Sequence, residues 1–181
     1  MDASIHEKKI SLTSEYDIET PAGNYHARKA MMALNDKIEV TKADGGTVAH
    51  IQGHFSPLRA KHDIVFTDGR SYAMECEKLM SRVFTCTGSG ESYTLYEHRR
   101  LRFSIFKGER QIAAIKKNLV VIGSGNEYEI QMDSDADAVL VACMVVTINS
   151  IEFNDDDNSV NVDFGNVGPQ GRPFDENWLP K

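Results

Sequence analysis

Cysteine is scarce in this chain. Cys76, Cys86 and Cys143 are odd in number and share no metal-type spacing, which argues against a disulfide framework or a zinc site. They read as reduced structural thiols of a cytosolic protein. No Asn-x-Ser/Thr acceptor occurs, and the opening Met1 to Lys9 lacks the basic region and apolar stretch of a secretory signal. Basic residues are missing altogether between Asn118 and Gly171, and the formal net charge of -7 argues against general affinity for nucleic acid.

Catalytic motifs are also lacking. Gly88-Ser89-Gly90 and Gly123-Ser124-Gly125 carry no Lys-Ser/Thr, so they read as turns rather than phosphate loops. No serine sits in a nucleophile elbow. His50 and His54 are four apart with His62 nearby, but on a strand such a pair is separated by about 13 Å. Surface or cross-strand histidines are the plain reading. With no catalytic constellation and no metal or cofactor set, the chain reads as a non-enzyme.

What the chain does have is an apolar segment between Asp133 and Phe153 with no polar stripe before Thr147, Asn149 and Glu152. A helix that is apolar all round is either buried or spans a membrane. The uninterrupted stretch Ala138 to Val146 covers only about 14 Å at the helical rise, far short of a bilayer, and no basic flank follows it. Its length exceeds a usual strand, and Asp133, Ser134 and Asp135 offer N-cap acceptors. A buried helix over about 135–153 is therefore expected, and the upstream sequence must enclose it.

Upstream, the hydrophobic period changes to two. Ile38 and Val40 alternate with Lys37, Glu39 and Thr41, and Leu101, Phe103 and Ile105 alternate with Arg100, Arg102 and Ser104. A glycine turn followed by alanine recurs at Gly23 with Ala27, Gly45 with Ala49, Gly69 with Ala73 and Gly108 with Ala113. The later copies finish on lysine, at Lys78 and at Lys116-Lys117. Each unit reads as a β-hairpin, and successive hairpins make an antiparallel meander whose edges are best removed by closure. A closed barrel then needs a filler, which the apolar helix supplies. The expected organisation is one domain, 1–164, with a flexible C-terminal tail, 165–181. Residues 154–164 alternate again and offer one more strand.

These features together resemble a known family. The glycine-punctuated hairpins, the stretch Phe55-Ser56-Pro57-Leu58-Arg59-Ala60-Lys61-His62-Asp63-Ile64, the Ile115-Lys116-Lys117 ending and the acidic, apolar Asp133 to Phe153 segment are similar to LURP-one-related proteins. That family belongs to the tubby C-terminal-like superfamily, which includes the phospholipid scramblases. The resemblance covers roughly Lys9 to Phe153 and implies a 12-stranded antiparallel closed barrel around one central helix. For function it implies phosphoinositide binding or tethering at a membrane surface, with no lipid-binding residues carried over. A calcium-linked, scramblase-like role is the weaker implication. Asp133, Asp135 and Asp137 resemble the first ligand positions of a calcium loop, but Ala138 replaces the turn glycine and Met144 the bidentate carboxylate.

The remaining candidate is the basic segment. Arg99, Arg100, Arg102, Lys107, Arg110, Lys116 and Lys117 lie between His98 and Asn118, with Arg100 and Arg102 expected on one external face. They suit an anionic phospholipid headgroup such as a phosphoinositide. The competing readings are a solvated strand surface paired with Glu97, Glu109 and the acidic C-terminal third, or a protein-interaction scaffold. The sequence thus leads to a peripheral binding or tethering module, cytoplasmic and without a transmembrane span.

Overall fold

The computed structural model describes residues 1–10, 13–29, 37–54, 61–78, 83–99, 101–119, 125–154 and 172–181. Twelve strands come first: β1 (Asp2–Ile10), β2 (Thr13–Thr20), β3 (Gly23–Lys29), β4 (Lys37–Lys42), β5 (Thr47–His54) and β6 (Lys61–Phe66), then β7 (Ser71–Lys78), β8 (Val83–Gly88), β9 (Glu91–His98), β10 (Arg102–Lys107), β11 (Arg110–Leu119) and β12 (Asn126–Met132). Among the described residues a single helix, α1 (Ala138–Asn154), follows. Each strand pairs antiparallel with its sequence neighbours, and β1 closes the barrel on β12 with Ile5 opposite Tyr128. Closure leaves no sheet edge to recruit another chain. Of the 154–164 stretch, expected as a further strand, Asn154 ends α1 and the rest lies outside the described residues.

Alternation explains the wall. On β4, Ile38 and Val40 are buried while Lys37 and Glu39 are exposed; on β12, Tyr128 and Ile130 point in while Glu127 and Glu129 point out. The repeat seen in the sequence corresponds to real hairpins, and Gly23, Gly45, Gly69 and Gly108 all take the positive φ that their turns demand. Ala27, Ala49 and Ala113 are completely buried. Ala73 lies on the other parity of its strand, between the inward Tyr72 and Met74.

Residues 141–150 of α1 are buried without a break, which is the consequence of a helix with no polar face placed in an apolar lumen. The helix begins at Ala138, later than the sequence pattern suggests, because Asp133 and Ala136 close a turn first. Asp137 is the actual N-cap: its Oδ1 accepts the backbone N–H groups of Val139 (3.1 Å) and Leu140 (2.9 Å).

At its other end α1 carries Asn149 into a buried polar network. Asn149 Nδ2 donates to Glu7 Oε1 (3.0 Å) and to the Tyr16 hydroxyl (2.9 Å), while its Oδ1 accepts from Tyr128. Glu7 Oε2 accepts both the backbone N–H and the side-chain amide of Asn126, and Ser14 donates to Oε1. The network ties β1, β2 and β12 to the helix where the barrel closes.

Candidate anion-binding rim

An up-and-down barrel has two ends of different character. The tight glycine turns joining β2–β3, β4–β5, β6–β7, β8–β9 and β10–β11 share one end with the start of α1. The remaining connections and the end of α1 share the other, here termed the connection end. There the strands begin or finish on Lys29, Lys37, Lys61, Lys78 and Arg102, with Arg99 and Lys116 close by. Among the described residues, no strand starts or stops at that end on Asp or Glu. The opposite end holds Asp44, Asp68, Glu91, Glu109, Asp133, Asp135 and Asp137. The strand termini thus differ in charge between the two ends, although Glu15, Glu75 and Glu129 pair with cations toward the connection end and Arg70, Lys107 and Arg110 pair with acids at the other.

A cleft of about 570 Å³ opens beside the connection end, lined among the described residues by Thr13, Arg28, Lys29, Lys37, Ile38, Glu39, His50, Ile51 and Gln52. Register explains the convergence, since Arg28 lies opposite Glu39, Glu39 opposite His50, and Lys37 opposite Gln52. Arg28 is loosely held by Glu15 at 3.3 Å, and the Glu39 carboxylate accepts the Thr47 hydroxyl at 2.8 Å. Lys37 and His50 have no ion-pair partner among the described residues. Four cationic or protonatable side chains against one carboxylate suit a phosphate-bearing ligand. None of these residues was legible as a site, because they come from three strands.

The basic segment picked out in the sequence divides. Arg99 is exposed in the β9–β10 turn; Arg102 and Lys116 are opposite each other on the outer wall at the connection end. Lys107 and Arg110 sit at the other end, where Lys107 binds Glu91 and Arg110 binds Asp135 at 2.8 Å. Lys117 is a correction: it points inward, buried, with Nζ 5.7 Å from the Tyr128 ring centre. Consecutive strand residues face opposite sides, so Lys116 and Lys117 cannot share a surface. Leu101 likewise is not an inward strand residue but a turn residue with φ of 56°, and alternation starts at Arg102. Arg100 lies outside the described residues.

The acidic cluster does not converge on a calcium site. Asp137 spends one oxygen on the helix N–H groups and the other on Arg70; Asp135 is paired with Arg110; Asp133 Oδ1 accepts the Lys181 backbone N–H at 2.8 Å. The carboxylates face Arg70, Arg110 and backbone N–H groups of the protein itself, with Asp133 and Asp135 sharing Arg110, whereas calcium needs six or more oxygens gathered around one point. His54 binds Asp63 at 2.7 Å, His62 is buried and His50 is exposed, which separates the three histidines. Cys86 and Cys143 are buried, and burial pushes both thiols up to about 12, far from the thiolate form.

Residues 172–181, expected as part of a loose tail, instead lie on the outer wall of β9 and β10. Arg172 stacks over Phe106 at 4.1 Å and pairs with Glu109 at 3.4 Å; Phe174 packs edge-on to His98 at 5.2 Å and under Arg102 at 5.1 Å. Glu176 takes the Arg102 guanidinium. Lys181 closes the strap by accepting the Ser134 N–H at 2.7 Å. Gly and Pro content does not by itself make a segment loose when its few aromatic and charged residues find matching partners.

The strap gives the barrel a pH dependence. His98 is 2% exposed, its Nε2 is 2.7 Å from the Ser104 hydroxyl, and it is surrounded by Tyr96, Arg102, Phe174 and the Arg172 backbone. Burial pushes its pKa from 6.5 down to about 4. The docked state therefore binds fewer protons than the released state between those values, so docking is fully stable above pH 6.5 and weakens as the pH falls toward 4. Trp178, the only tryptophan, lies in the strap and reports on it. Its emission should shift to the red between pH 7 and 5 in the wild type and stay flat in His98→Asn; identical titrations would refute the assignment.

Comparison with protein families matches residues 1–149 to LURP-one-related. Comparisons with curated proteins and with solved structures each give no match. The matched region runs from the strand that closes the barrel to Asn149 in the helix that fills it. On that span the chain belongs to the LURP-one-related family.

Proposed function

We propose that the chain is a non-enzymatic tethering module whose connection end binds anionic phospholipid headgroups at a membrane surface. The observation that carries this reading is the run of basic residues at the connection end, Arg28, Lys29, Lys37, Lys61, Arg99, Arg102 and Lys116, with the cleft that Arg28, Lys29 and Lys37 line beside it. Near an anionic bilayer each basic residue contributes about 1 kcal/mol, and the attraction decays within a Debye length of roughly 8 Å. Such a barrel meets the surface end-on. The cleft beside the rim accepts a phosphorylated headgroup between Arg28, Lys37 and His50, while α1 fills the lumen that a substrate would otherwise need. The resemblance to phosphoinositide-binding tubby domains agrees with this reading. Among the described residues, no helix is long and apolar enough to cross a membrane.

Co-sedimentation with liposomes tests the proposal. Binding to phosphoinositide-containing vesicles should fall with salt and be absent on neutral vesicles. Arg28→Glu with Lys37→Glu and Arg99→Glu should weaken it by about 100-fold or more, since three contributions of about 1 kcal/mol are removed and reversed. Lys42→Glu, at the opposite end, should leave it unchanged. Equal loss in both variants, or salt-insensitive binding to neutral vesicles, defeats the orientation. A protein-interaction role is favoured by a separate observation, the seating of a peptide segment on β9 and β10.

A further inference from the structure

The outer wall of β9 and β10 departs from the alternation that governs the rest of the barrel. On β10, Phe103, Ser104, Ile105 and Phe106 are buried in succession. Phe103 and Ile105 belong to the interior cluster; Phe106 does not, and is buried at 5% exposure from the outside. Next to it Tyr96 packs edge-on at 5.5 Å, and Ser104 holds the outward-facing, buried His98. A wall that faces only water has no need of Phe106 and His98 there. The outer face is built to be covered.

The segment that covers it shows the chemistry the face accepts. Phe106 and Glu109 take an arginine, His98 and Arg102 take an aromatic ring two residues later, and Arg102 takes a carboxylate two residues after that. Asp175 then turns the chain, its Oδ1 accepting the Asn177 N–H at 2.9 Å. These contacts are individually weak. Glu176 and Glu109 have side chains 64% and 97% exposed, and exposed pairs of this kind add little. Tethering compensates, because a segment on the same chain reaches an effective concentration of about millimolar. The segment stays docked on contacts that an untethered peptide with a few more could outcompete. Its side chains touch the barrel outside the core cluster, and its anchor beyond the groove is the backbone of Lys181, which donates to Asp133 and accepts from Ser134.

We propose that the outer face of β9 and β10 is a docking groove for an extended partner segment of the pattern Arg-x-Phe-x-acidic, which Arg172, Phe174 and Glu176 occupy in cis. The C-terminal segment acts as a built-in competitor. A partner protein gains access by presenting the same three side chains with additional contacts beyond them.

The test uses full-length protein and a fluorescein-labelled peptide with the sequence of residues 172–181. Arg172→Ala, Phe174→Ala and Glu176→Ala together remove the three side chains that occupy the groove without touching the barrel. Fluorescence anisotropy should show this variant binding the peptide at least about ten-fold more tightly than the wild type, which carries its own competitor. Adding Arg102→Glu should abolish that binding. In the wild type, millimolar peptide carrying phenylalanine in place of Trp178 should displace the strap and shift Trp178 emission to the red. No binding by the freed variant, equal binding by both proteins, or persistence after Arg102→Glu each overturns the groove. Unchanged Trp178 emission also counts against it. No lipid is present, so the result is independent of membrane tethering.

Discussion

Glu7→Gln should lower the stability of the protein by about 3 to 5 kcal/mol, although it changes neither the size nor the shape of the side chain. Glu7 is completely buried and only accepts: Ser14 (3.2 Å) and Asn149 (3.0 Å) donate to one oxygen, and the backbone and side-chain amides of Asn126 (3.1 and 2.7 Å) donate to the other. A glutamine amide must place its NH2 against two of those donors, because both oxygens are already used. At least one donor is then left facing another, with the full desolvation cost and no compensating bond. The loss propagates through Asn149, which also serves Tyr16 and Tyr128. For a chain of this length the thermal midpoint should drop by roughly 10 to 15 °C. Asn149→Leu should be similarly damaging, since it strips a partner from Glu7, Tyr16 and Tyr128 together. Thermal melts followed by circular dichroism decide the matter, and a Glu7→Gln midpoint within about 3 °C of wild type would show that the network does not hold the seam.

That network was not readable in the sequence, whereas the barrel was. Alternation at Ile38–Val40 or Phe103–Ile105 is local, and the turn glycines are local, so each hairpin announces itself in a few residues. Closure followed from one further fact, a helix with no polar face that only a closed apolar sleeve could enclose. Glu7, Asn126 and Asn149 meet because the first strand pairs with the last, and nothing local marks residues so far apart as partners. The basic rim is an intermediate case. Lysine at the end of a repeat was visible at Lys78 and at Lys116-Lys117, but Lys29, Lys37 and Lys61 join them only once every strand has a direction. The run from Arg99 to Lys117 does not gather in one place, because it spans both ends of the barrel and both faces of β11. Lys107 and Arg110 fell to one end, Arg102 and Lys116 to the other, and Lys117 to the inside.

The acidic cluster illustrates why composition alone misleads about metals. Spacing places Asp133, Asp135 and Asp137 within one turn, but the hairpin turns of β6–β7 and β10–β11 bring Arg70 and Arg110 to the same end. Guanidinium groups and backbone amides there satisfy charge that a cation would otherwise neutralise. Ion pairing runs through both ends: Arg70 and Arg110 hold the acids at the helix start, and at the opposite rim Arg28, Lys61, Arg102 and Lys116 face Glu15, Glu75, Glu176 and Glu129, whereas Lys37 has no ion-pair partner among the described residues.

Met144→Asp should abolish folding altogether. Met144 lies near the middle of α1, fully buried, with buried neighbours from Val141 to Ser150. No rotation of the helix brings it to water, because the helix has no exposed side and the barrel has no open edge. An unpaired carboxylate in that position costs several kcal/mol even after relaxation, a large part of the roughly 5 to 15 kcal/mol that holds a domain of this kind together. The barrel cannot respond by expelling the helix, since its inward Ile18, Ile51, Leu95 and Ile105 would then line an empty lumen. Helix and wall therefore stand or fall as one cooperative unit. Met144→Leu, which conserves volume, should cost less than about 1.5 kcal/mol, and Leu140→Ala about 2 to 5 kcal/mol with the fold retained. Urea titrations of the three variants read the series. A Met144→Asp protein that still unfolds cooperatively with a midpoint near that of Leu140→Ala would mean that the helix can leave the barrel at little cost, and that the lumen is not the core of this protein.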